Sequence, residues 1–171
     1  MTQCRFGKYI PKFFIPVAFI LACTSSSPAQ QVQLASKKVL TLGIVKEIAN
    51  ASSAFALSNN WHVVIAIVDE GGHLLYLERM DGVQTGSVEV AIQKAKTAAS
   101  FKRPSRAFEE GLISGRIALV ALPGAIPLEG GVPITWDDQI LGAVGVSGVT
   151  AQQDGLIAQA GADALKGILG N

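Results

Sequence analysis

Two histidines stand beyond the first 30 residues, His62 and His73, and the second sits where an imidazole can do chemistry. His73 directly follows a turn, Asp69-Glu70-Gly71-Gly72, in the stretch VDEGGHLLYLERMDG over residues 68–82. A neutral imidazole facing an apolar slot can be an axial haem ligand, with His73 then the metal-binding residue. Tyr76 and Met80, on the same hairpin and its exit, carry further atoms able to bind iron. The plainer reading makes His73 the first residue of a strand. His62 precedes an apolar run and reads as a surface or strand-start residue.

Three other groups of residues have the types a binding site needs. Lys94 shares a helix side with Ser87 and Thr97, where its ammonium could reach an acidic ligand; as a lone residue it reads as a solvated surface lysine. It belongs to the densest basic group of the chain, with Lys96, Lys102, Arg103 and Arg106. In LEGGVPI (128–134), Gly130 and Gly131 lie between Glu129 and Pro133, so backbone can line a site whose shape the proline fixes. In GAVGVSG (142–148), Gly145 and Gly148 lead into a helix start, and free N–H groups there favour an anion. The same glycines also suit close strand–helix packing, and their spacing is not G-x-G-x-x-G.

Other catalytic templates are missing. There is no G-x-S-x-G elbow and no Walker lysine loop, and two histidines are too few for a His-based zinc site. The acidic pairs Asp69-Glu70, Glu109-Glu110 and Asp137-Asp138 fall in turns or a short helix, where carboxylates are usually solvated.

These residues need a frame. Residues 41–58 have helical spacing with Thr41 as cap. HVVIAIV (62–68) reads as a strand covered on both faces, and 73–79 returns beside it. A helix over 87–102 has a small apolar face (Ala91, Ala95, Ala98, Ala99) that permits close approach, and Pro104 follows its end. Ser105 is placed to cap a short helix over 106–113. IALVAL (117–122) reads as a strand, as do 133–136 and 139–146 around Asp137-Asp138. Thr150 and Gln153 form a capping box before the last helix. The predicted order is α-β-β-α-α-β-β-β-α: an α+β domain with helices packed on an antiparallel sheet of about five strands.

The ends set further bounds. Arg5, Lys8 and Lys12 precede the ten-residue apolar run FFIPVAFILA (13–22), and the first acidic residue is Glu47. This suits a secretory signal peptide over 1–29, since a bilayer span needs about 20 residues. Cleavage before Gln30 follows small residues, leaving a tail over 30–39 and one domain over 40–171. A looser lipobox ending at Cys23 offers a lipid anchor as the alternative to soluble release into the periplasm or medium. With the leader gone, both cysteines of the 171-residue chain are lost or acylated, and net charge falls from +1 to −2. That is no footprint for nucleic acid or an anionic membrane surface.

Four segments, VVIAIVDEGGHLLYLERMDG, AIQKAKTAASFKRPS, LPGAIPLEGGVPI and ILGAVGVSGVTAQQD, resemble the GlcG/HbpS family of haem-binding or haem-degrading domains over about residues 40–168. The resemblance implies a small α+β domain, assembly into homo-oligomers, often octamers, and in some members haem or iron binding at the cell exterior. Other members stand beside glycolate utilisation or are fused to a cobalamin adenosyltransferase. The first helix lacks a histidine, and the Glu-x-x-Glu iron motif of the HbpS branch is missing. The expectation is an exported haem (tetrapyrrole) protein: Lys94 or Arg103 would pair propionates, His73 or Tyr76 would meet iron, and Glu129–Pro133 with Gly145 and Gly148 would line the pocket. A small-molecule enzyme or accessory acting on an organic acid such as glycolate is the alternative, as is a ligand-free structural oligomer.

Overall fold

Why the β-branched run over 63–68 is almost wholly apolar is plain once its neighbours are in place: it runs through the middle of the sheet. A computed structural model describes Thr2 and residues 34–170. The expected leader, its cleavage site and both cysteines lie outside the described residues. From Ser36 onward the chain forms one compact unit. In order it contains α1 (Leu42–Ser58), β1 (Val64–Asp69), β2 (Leu74–Arg79), α2 (Gly86–Phe101), α3 (Arg106–Ile113), a 3₁₀ turn (Ile117–Ala121), β3 (Gly131–Trp136), β4 (Gln139–Ser147) and α4 (Ala151–Ile168).

The sheet has four strands, all antiparallel to their neighbours, in the order β2-β1-β4-β3. Val63, Ile65 and Ile67 face a large core completed by α1 and α4, with Ile48, Val144 and Ile157 among its buried members. The alternate residues Val64, Ala66 and Val68 face α2 across alanines. The result is three layers: two helices, the sheet, then one helix. Thr41 caps α1, and Thr150 with Gln153 forms the expected box at α4.

Two local expectations change. IALVAL is not a strand: it makes a 3₁₀ turn, with Leu119 buried and Ile117 and Val120 left outside. β-branched composition favours a strand only where a neighbouring strand and a half-buried surface are offered. This run instead closes its own short hydrogen bonds, Leu119 N–H to Arg116 O and Leu122 N–H to Leu119 O. Ser105, for its part, does not cap α3; its hydroxyl is used elsewhere.

The small-residue face of α2 does what its composition permits. A methyl group at Gly131 would lie 2.1 Å from Lys94 O, and one at Gly145 would lie 2.1 Å from Ala91 O. The helix backbone therefore rests directly on β3 and β4. Gly131→Ala or Gly145→Ala should lower stability by about 3 kcal/mol or more in urea unfolding, since backbone must shift. The helical Gly167, with nothing near it, should tolerate alanine with a gain of roughly 0.5–1 kcal/mol. Equal, small effects at all three sites would contradict this packing.

Candidate functional site

The expected site residues divide into three places. Lys94 is 3 % exposed, because α2 turns it inward toward the start of α4. Its ammonium donates to Asp154 Oδ2 at 2.8 Å and to Val146 O at 3.0 Å. The Val149 N–H donates to the second carboxylate oxygen, 3.2 Å away. Burial pushes the Asp154 carboxyl up, against the pull of the Lys94 charge and these hydrogen bonds. Gly130 closes over the pair with φ +128°, and a methyl group there would lie 2.8 Å from Lys94 Nζ and 3.0 Å from Asp154 Cβ. Lys94 is thus neither a solvated lysine nor a free cation at a surface. Gly145 and Gly148 are filled from behind by α2 and by the His62–Val63 backbone, and Pro133 pairs with Ala143 in the sheet.

The second place is the loop entering β3. Ser105 fastens it: its Oγ donates to Leu128 O at 2.6 Å and accepts from the Gly131 N–H at 2.8 Å. The Ser105 N–H donates to Gly131 O, and the Val146 N–H to Gly130 O. The Glu129 N–H donates to the Glu109 carboxylate. Beside it lies a cleft of about 290 Å³, bordered by Pro104, Arg106, Glu129, Leu156 and Gln159. Arg103 is not part of this cleft; its guanidinium stands over the Phe108 ring at 4.6 Å.

The third place is the β1–β2 turn. The Asp69 carboxylate builds that turn by accepting from the Gly71 and His73 N–H groups, both at 2.8 Å. His73 Nδ1 lies 3.1 and 3.2 Å from the two Asp69 oxygens. Burial pushes the Asp69 carboxyl up, but the hydrogen bonds from His73 and Gly71 outweigh it and hold it below the usual range. A carboxylate on Nδ1 fixes the tautomer that leaves Nε2 unprotonated, the form that ligates a metal or accepts a proton. The ring is 82 % exposed. It borders a groove of about 410 Å³ with Gly72, Gln93, Lys96, Ser100 and Gly124. Next to it on the edge strand, Leu74, Leu75 and Leu77 are exposed. Leu74 and Leu77 pair with Val68 and Ala66, which places them on the α2 face. Tyr76 faces the other way, packs on the α1/α4 core, and donates its hydroxyl to Glu78 at 3.0 Å. His73 and Tyr76 therefore do not share a site.

A protein-family model described as "Haem degrading protein HbpS-like" matches residues 40–163. The chain belongs to the HbpS-like family. Among curated relatives, Protein GlcG of Escherichia coli K12 is 44 % identical over 112 residues, covering 66 % of this chain and 84 % of GlcG. Among solved structures, HbpS superposes with a TM-score of 0.71 at 31 % identity, covering 85 % of this chain and all of that one. The haem complex of PduOC superposes with a TM-score of 0.68 at 25 % identity, over 74 % of this chain and 95 % of that one.

In this HbpS-like chain one of the two carboxylate partners is local in sequence and the other is distant. Asp69 stands four residues before His73, as the first residue of the turn itself. Asp154 is the acid in the first turn of α4, and nothing in its spacing from Lys94 announces a pair 60 residues apart. No group of three or more His, Cys, Asp or Glu is placed to hold a metal ion among the described residues. Lys94→Met should cost about 3–5 kcal/mol in urea unfolding by leaving Asp154 buried and unpaired. The double variant Lys94→Met/Asp154→Leu should lose clearly less than the two single losses added together. Additive losses would show that the two side chains do not depend on each other.

Proposed function

We propose that this chain is an exported, oligomeric haem-binding protein in which His73 is the axial ligand. The observation that carries this reading is the Asp69–His73 pair, which presents an oriented, solvent-facing Nε2 at the rim of the sheet. The donor chemistry fits haem: an imidazole nitrogen for iron, Leu74 and Leu77 for the apolar macrocycle, and Lys96 in the same groove for a propionate. Bound there, haem would supply an iron centre able to take ligands or electrons. The protein's own part is to hold the imidazole tautomer through Asp69 and to cover one side of the macrocycle. The haem complex of PduOC supports the ligand class. The assignment moves the propionate partner from Lys94 and Arg103 to Lys96, because Lys94 is held by Asp154.

Export rests on the basic residues before the apolar run 13–22. Assembly is supported by apolar side chains left outside both this chain's core and the haem face, including Ile113, Ile117 and Val120. Among the described residues no helix is long and apolar enough to cross a membrane. A second reading, a site for a small organic acid such as glycolate, is favoured by one feature: Gln93, Lys96, Ser100 and His73 give the groove a polar rim.

Haemin titration of the purified protein should give a saturable Soret shift. His73→Ala should abolish it, and Asp69→Asn should weaken affinity by roughly 10–100-fold, as loss of an orienting partner does at metal sites. No saturable shift, together with a glycolate-dependent rise in melting temperature, would select the organic-acid reading. Mass spectrometry of the exported protein should find a chain beginning at Gln30; one beginning at Cys23 with added lipid would replace soluble release by anchoring. Light scattering should give a mass several times that of one chain, and a monomer would refute assembly.

A further inference from the structure

The Glu129 cleft plays no part in the haem reading, yet it has the features of a built site. The backbone around Glu129 is fastened from three directions, by Ser105, by Glu109 and by Val146. At Gly130 the chain takes φ +128°, a conformation closed to other residues, which fixes how Glu129 enters the cleft. Its side chain is only 14 % exposed. All this order surrounds a carboxylate to which no described residue donates a hydrogen bond. Arg106 Nη1 stands 4.0 Å away, while the same guanidinium donates from Nε to Glu110 at 2.7 Å.

No buried side-chain oxygen among the described residues lacks a partner, so the Glu129 carboxylate meets the solvent of the cleft, at some cost because most of the side chain is covered. Burial indeed pushes the Glu129 carboxyl up, and Arg106 offsets only part of that. On the cleft side it faces Pro104, Val132 and Leu156, with Arg106 and the Gln159 amide as the polar side chains. On its other side stand Glu109, Glu110 and Gln152, whose two acids add to the negative charge. What completes such a cavity is a compact cation that donates hydrogen bonds at one end and is apolar at the other.

We propose that the cleft between α3, the Glu129–Val132 loop and the first turns of α4 binds a small primary ammonium compound with a short aliphatic body. The ammonium donates to the Glu129 carboxylate and to the Gln159 carbonyl oxygen, and the aliphatic part lies between Pro104 and Leu156. A carboxylate ligand is excluded by Glu129 itself. A metal ion is disfavoured because, among the described residues, no three acidic or imidazole groups converge to hold one and Arg106 adds a competing charge. Arg106, as a competing cation at the cleft edge, limits affinity rather than supplying it.

The test is a titration of the full protein with n-butylammonium at neutral pH, followed by the amide NMR signals of Gly130, Gly131 and Gly155. Saturable shifts at these amides are expected, with none from n-butanol. Glu129→Gln keeps the size and removes no hydrogen bond received by the carboxylate, so it should fold normally while weakening the amine by about tenfold or more, the usual cost of a charge-assisted hydrogen bond. Arg106→Gln should tighten binding, which general damage to the cleft would not do. Haemin affinity should be unchanged in both variants, so this proposal and the haem reading stand or fall separately. The proposal is overturned by the lack of saturable shifts, by equal binding of butanol, by undiminished binding in Glu129→Gln, or by weaker binding in Arg106→Gln.

Discussion

The buried ion pair of Lys94 with Asp154 is the constraint around which the rest of this domain is arranged. It joins α2 to the start of α4 and, through Val146 O, to the end of β4. Two charges taken from water need full hydrogen bonding, and the fold supplies it from the β4 carbonyl and the Val149 N–H. The same demand explains the loop above: only a residue without Cβ can close over the ammonium and the carboxylate at once, and Gly130 does so. Such a pair contributes little net stability compared with an apolar substitute. What it contributes is register, because α2, β4 and α4 can satisfy both charges in one arrangement.

With the interior this tightly filled, chemistry is left to the rims. β1 is covered on both faces, and the glycines of β3 and β4 are occupied by helix backbone, so the centre of the sheet has no room for a ligand. The edge strand β2 is different. It is uncovered on the α2 side, and there His73, Leu74 and Leu77 combine an oriented imidazole with apolar surface. A ring this exposed gives haem one wall only. Assembly with another copy, supported by the apolar residues outside the core, would supply the second and exclude water.

The helices, the central strands and both hairpins were legible because hydrophobic period and turn residues report local conditions. IALVAL was not: its apolar content matches a strand, but the run closes its own 3₁₀ hydrogen bonds instead of joining the sheet, and composition does not record that. Ser105 does stand at the start of α3, but it leaves the helix uncapped because its hydroxyl bonds partners 23 and 26 residues away. His73 was legible as the histidine able to do chemistry, while the role of Asp69 depends on how the turn folds its carboxylate back onto the ring. Lys94 was the hardest. Helical spacing gave its side of the helix, but not that this side was the buried one.

The central claim is that Asp69-oriented His73 meets the iron. Resonance Raman spectroscopy of the ferrous haem complex reads that bond directly through the iron–histidine stretching band. The band should be present in the unaltered protein, absent in His73→Ala, and shifted to lower frequency in Asp69→Asn, where the imidazole loses its carboxylate partner. A band that persists unchanged in His73→Ala would place the iron on another residue and contradict the assignment.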